Sequence, residues 1–64
     1  MKVALAYRVL ADGTHLLDGV YAGDDALEDA KEYLRTWTNH QTKYVKVYVG
    51  SGDRLSFAGT IGVA

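Results

Sequence analysis

The sequence predicts an α+β fold, ββαββ, with one four-stranded sheet and a single helix packed on one face. Three observations carry this. Four stretches alternate in the two-residue period of a strand, one central stretch repeats its apolar residues at helical spacing, and a glycine-containing turn joins the strands of each pair. With 64 residues the chain forms one domain, spanning 1–64.

The first strand is expected over 2–10, "KVALAYRVL". Val3, Leu5, Tyr7 and Val9 fall on one face and Lys2, Ala4, Ala6, Arg8 and Leu10 on the other. "ADGT" follows, and its Asp12-Gly13 pair is the composition of a two-residue type I′ hairpin turn, which needs positive φ at both central positions. A second strand is expected over 14–22, "THLLDGVYA", with Gly19 marking a bulge or a close backbone approach.

Gly23 breaks that strand. Asp25 is placed to cap a helix, and Glu28 three residues on completes the pattern of a capping box. The helix is expected to run to about Thr38. Its apolar stripe, about 120° wide, holds Ala26, Leu27, Ala30, Tyr33, Leu34 and Trp37. The polar "TNHQTK" (38–43) ends it. A third strand, "KYVKVYVG" (43–50), sets Val45, Val47 and Val49 against Tyr44, Lys46 and Tyr48. "GSGD" (50–53) turns the chain. A fourth strand, "RLSFAGTIGV" (54–63), is expected to turn Leu55, Phe57, Gly59, Ile61 and Val63 inward and Ser56 outward. If the hairpins flank a right-handed crossover, the first and last strands lie parallel in the centre of the sheet.

Hairpin, helix and hairpin in about sixty residues resemble the immunoglobulin-binding domains of proteins L and G. "VLADGT" (9–14) and "FAG" (57–59) are local echoes of protein L. The resemblance covers the layout of nearly the whole chain. It implies that fold and, as one possibility, antibody binding; a shared fold does not fix a function.

Composition bounds the function. The chain has no cysteine, hence neither disulfide nor thiolate metal site, which suits a cytoplasmic location. Arg8 interrupts the first apolar run too early for a signal-peptide core, so the chain is expected to be a complete small protein. No run of apolar residues is long enough to span a membrane. A marginal core is expected at this length.

The net charge of −1 hides an asymmetry. Seven acids lie from Asp12 to Glu32 against the single base Lys31; four bases and one acid follow. An acidic middle argues against a dedicated DNA binder, which needs a basic footprint. Within the helix, Asp25 and Asp29 are four apart, as are Glu28 and Glu32, a spacing at which like charges cost roughly 0.2–0.5 kcal/mol per pair. The helix dipole favours Asp25 and Glu28 near its N-terminus but not Glu32, and Lys31 and Arg35 can pair with Glu28 and Glu32. A solvated, capped helix is one reading. An acidic docking surface for a basic partner, formed by Asp18, Asp24, Asp25, Glu28, Asp29 and Glu32, is the other.

No catalytic constellation is evident. His15 and His40 are not near Ser51 or Ser56 in sequence, the acids lack calcium-loop spacing, and "GSGD" joins strands without a following helix to hold an anion. No enzyme activity, cofactor or metal is expected. Tyr44, Lys46 and Tyr48 form a secondary candidate surface, suited to a protein partner or, more distantly, to single-stranded nucleic acid.

The expected function is therefore a non-enzymatic inhibitor that sets carboxylates where phosphates bind a nucleic-acid-binding protein. In size, lack of catalytic groups and acid content the chain resembles small phage-encoded inhibitors, anti-CRISPR proteins among them. That resemblance implies a phage or mobile-element source and DNA-site occlusion on a CRISPR effector subunit; the chain is expected to be a monomer or weak dimer.

Overall fold

The computed structural model describes residues 1–40 and 42–64. Gln41, within the polar stretch that follows the helix, lies outside the described residues. The element order is β1 (Lys2–Val9), β2 (His15–Ala22), α1 (Ala26–Arg35), β3 (Lys43–Ser51) and β4 (Arg54–Gly62). The expected ββαββ order and the four-stranded sheet are present. The strand order is β2-β1-β3-β4, with every neighbouring pair antiparallel.

This order corrects the expected central pair. The last strand lies at an edge, and β1 and β3 form the centre, antiparallel to each other. β2 and β3 therefore run parallel with β1 between them, and α1 carries the crossover from one to the other. Inner-face composition accounts for the choice. β3 offers the buried Val45 and Val47 beside Ala4 and Ala6 of β1, whereas β4 offers Gly59 and Ile61. The valine strand makes the better floor for a helix.

The helix stripe faces the sheet as expected, except that Trp37 lies beyond the helix end at Arg35. Ala26, Ala30 and Leu34 are fully buried over Ala4, Ala6 and Val45, while Tyr21, Leu27, Tyr33 and Ile61 pack around them. Alanine on both surfaces lets helix and sheet approach closely. It also makes the core thin, since the largest fully buried side chains are Leu34 and Val45.

The turns differ from expectation in detail. In the first hairpin the Gly13 N–H donates to the Leu10 carbonyl, and Leu10 N–H to Thr14. Gly13 alone has positive φ, at 89°, so this is a three-residue loop rather than a type I′ turn. The Asp12 carboxylate accepts from the Thr14 N–H at 2.9 Å, a local turn bond open to aspartate. In the second hairpin Ser51 pairs with Arg54, and Gly52 takes the first central position with φ of 66°. The helix is shorter than expected and ends at Arg35. Asp25 takes the N-cap position but its side chain makes no cap hydrogen bond, so the expected capping box does not form.

Two bulges decide which side chains face the helix. In β2 the register steps from Ala6↔Gly19 to Tyr7↔Leu17, leaving Asp18 as the extra residue beside the glycine that marked the spot. In β4 it steps from Val47↔Gly59 to Tyr48↔Phe57, leaving Ala58 as the extra residue. A single extra residue reverses the alternation beyond it. Leu55 and Phe57, expected inward, therefore lie on the face away from the helix, and Ser56, expected outward, pairs with Val49 on the helix side.

Candidate interaction surfaces

The outer face of the sheet carries no helix. Its central strands present Val3, Leu5, Tyr7 and Val9 from β1, and Tyr44, Lys46 and Tyr48 from β3. Leu17 and Val20 of β2 and Leu55 and Phe57 of β4 extend the face to both edges. These four are 47%, 62%, 50% and 58% exposed, so each edge strand turns two large apolar side chains away from the core, while Tyr21 and Ile61 face it. Lys46 is the one lysine, arginine or carboxylate that the register places on this face.

The aromatic rings are ordered against one another. Tyr7 and Tyr44, directly opposite across the central pair, stack with centroids 5.0 Å apart and planes within 8°. Lys46 Nζ lies 5.2 Å from the centroid of Tyr7. His15 meets Tyr44 edge-on, with its Nδ1 2.7 Å from the tyrosine hydroxyl. Tyr48 and Phe57 form an edge-to-face pair at 5.5 Å. The rings of Tyr7 and Tyr44 thus spend their faces on each other and on neighbours. A base-stacking platform needs free faces; this surface offers ring edges, hydroxyls and aliphatic side chains instead.

The sequence-predicted acids lie apart from it. Asp24, Asp25, Glu28, Asp29 and Glu32 are all exposed, at the start of α1 and along its outer side. Glu28 pairs with Lys31 at 3.8 Å; the expected Glu32–Arg35 pair is not formed among the described residues. Asp18 departs from this group. Its side chain is 8% exposed and holds Arg8 through two hydrogen bonds, from Nε to one carboxylate oxygen and from Nη2 to the other at 2.9 Å. The β2 bulge turns Asp18 inward, away from any docking surface.

Arg8 is the centre of a polar cluster that the sequence did not reveal. Its guanidinium lies 3.8 Å from the Trp37 ring centroid, and Nη1 is 2.8 Å from His40 Nε2. The His40 Nδ1 is 3.2 Å from the Val9 carbonyl, and Lys43 Nζ donates to the Trp37 carbonyl at 2.9 Å. The Asp18 hydrogen bond holds the Arg8 pKa above its ordinary value. The cluster ties β1 and β2 to the segment leaving the helix. Its only signal in the sequence was an arginine in phase with Ala4 and Ala6.

Two other groups depart from ordinary titration. The bond from Thr14 lowers the Asp12 pKa, and desolvation raises that of Tyr21. Neither histidine is hydrogen-bonded to a serine or threonine hydroxyl. Among the described residues no group of three or more histidine, aspartate or glutamate side chains could hold a metal ion. A cleft at one end of the sheet is lined by Val9, Leu10, Ala11, Asn39, His40 and Thr42. Among the described residues lining it, His40 is the only titratable side chain, and it is engaged with Arg8. Among the described residues no helix is long and apolar enough to cross a membrane.

Comparison with protein-family models, with curated proteins and with solved structures finds no match for this chain.

Proposed function

We propose that this protein is a non-enzymatic binding protein that presents the acidic side of α1 to a basic protein surface. The target class is a nucleic-acid-binding protein whose phosphate-binding site the carboxylates occupy, such as a CRISPR effector subunit. The observation that carries this reading is that the helix acids are exposed and largely unused by the fold. Asp25 caps nothing with its side chain, Glu28 has one long pair, and Glu32 stands in mid-helix, where the dipole gives it no benefit. Carboxylates repelling one another at four-residue spacing cost helix stability. A basic partner would convert that cost into attraction and speed its own association. The docking set is Asp24, Asp25, Glu28, Asp29 and Glu32; Asp18, committed to Arg8, is not part of it.

The competing surface is the outer sheet face, where Tyr44, Lys46 and Tyr48 are joined by Phe57. A pull-down from bacterial lysate separates the two. Wild-type protein is compared with Glu28→Lys/Glu32→Lys and with Tyr44→Ser/Tyr48→Ser. The acidic reading expects a nucleic-acid-binding partner that the charge-reversed variant loses and the tyrosine variant keeps. Capture undiminished by charge reversal sinks it.

A further inference from the structure

We infer that the outer face of the sheet is covered by a second copy of this chain, giving a symmetric dimer of helix–sheet–sheet–helix layers. The inference is independent of the reading of the acidic helix and rests on four properties of the face.

The first is where the apolar side chains go. The core behind the helix is built on Ala4, Ala6, Ala26 and Ala30, with Leu34 and Val45 its largest fully buried members. Leu17, Val20, Leu55 and Phe57 are all at least 47% exposed on the other side of the same sheet. Oligomerisation is one way for a small domain without disulfides to gain further burial. A contiguous apolar face left in water is rare on monomers beyond a few hundred Å².

The second is size. The molecule measures 38 × 20 × 15 Å, so a face along its long axis has a projected area of about 570–760 Å². A standard interface takes roughly 800 Å² from each partner. One sheet laid on its copy comes near that figure, with the two inner layers interdigitating as in any sandwich.

The third is charge. Among the described residues the register places no carboxylate on the face, and its one fixed cation, Lys46, rests against the Tyr7 ring, a contact that tolerates loss of water. The surface is therefore compatible with itself. Packing it on another copy's helix would instead set apolar side chains against exposed acids and leave an open-ended, repeating contact. Face-to-face pairing closes the assembly and puts the two acidic helices on opposite outer sides, far apart.

The fourth is the engagement of the rings. Tyr7 and Tyr44 are stacked on each other, with Lys46 and His15 against them. That leaves a surface for side-chain packing, and a poor one for nucleobases.

The test is sedimentation equilibrium of the full chain over a wide concentration range, with denaturant unfolding at each concentration. A single chain is 7.0 kDa. Wild type is expected at twice that mass, with an unfolding midpoint that rises with protein concentration, as association linked to folding requires. Leu17→Glu and Phe57→Glu sit on opposite edge strands. Each is expected to weaken the dimer about a hundredfold or more, because each buries an unpaired carboxylate in the contact. Glu28→Lys is expected to leave association unchanged. A wild-type monomer at all concentrations, with a concentration-independent midpoint, overturns the proposal and leaves the face to a foreign partner. A dimer weakened by Phe57→Glu and not by Leu17→Glu also overturns it, placing the contact at the β4 edge. The wild-type midpoint alone decides whether the chain associates, even if a variant fails to fold, and the Leu17 and Phe57 variants then place the contact.

Discussion

Arg8 occupies a position that an alternating strand would give to the core, in phase with Ala4 and Ala6. It is tolerated because every side of the guanidinium is used: two bonds to Asp18, one contact to His40, and the Trp37 ring against its plane. Asp18 is in reach only because the β2 bulge inserts it. The apolar share of the core is correspondingly small, and single residues count for much of it. Leu34 is fully buried, the one leucine that α1 drives wholly into the sheet. Leu34→Ala is expected to cost about 2–5 kcal/mol. A domain of this length holds roughly 3–10 kcal/mol in all, so the variant should unfold at a much lower urea concentration, or be unfolded at 25 °C. Circular dichroism during urea titration reads the outcome, and a loss below about 1 kcal/mol would mean that the alanines around Leu34 collapse to fill the space.

At the level of elements, the sequence was most informative where period and composition agreed. The helix stripe, the β3 alternation and the Gly19 irregularity all follow from spacing. The β4 bulge did not. Its extra residue is Ala58, beside Gly59 just as Asp18 is beside Gly19, but Gly59 fits the inward alternation of the strand, so the bulge that sends Leu55 and Phe57 to the other face is not read from it. The first candidate surface was thus readable as a row of helix acids. The second was visible only as Tyr44, Lys46 and Tyr48, because unbroken alternation in β4 places Leu55 and Phe57 inward. The capping box shows the reverse error: the residue types and spacing are right, but the Asp25 side chain makes no bond to the helix. Asp25→Ala should therefore change stability by less than about 0.5 kcal/mol, where loss of a working N-cap typically costs about 1 kcal/mol. Urea unfolding of this variant measures the difference. A full cap-sized loss would show that the carboxylate does bond the first turn in solution.

For the molecule as a whole, residue pattern alone does not distinguish between sheet orders. Both β2-β1-β3-β4 and an order with β4 in the centre leave the same strands amphipathic and the same helix over the sheet. Composition of the inner face settles it, since β3 carries Val45 and Val47 where β4 carries Gly59 and Ile61. The two orders differ in where backbone N–H groups find partners. A central strand bonds on both sides, whereas an edge strand leaves alternate N–H groups to water. In the observed order β3 is bonded to β1 and β4, and β4 to β3 alone. Native-state hydrogen exchange should accordingly find the β3 amides of Val45 and Val47 opening only with global unfolding, and alternate β4 amides exchanging far sooner. A dimer formed through the sheet face leaves this contrast intact, because it covers side chains and not the β4 edge. Uniformly strong protection in β4 with fast exchange in β3 would place β4 in the centre. It would also return Leu55 and Phe57 to question, since the register that puts them outward is that of the β3–β4 pair.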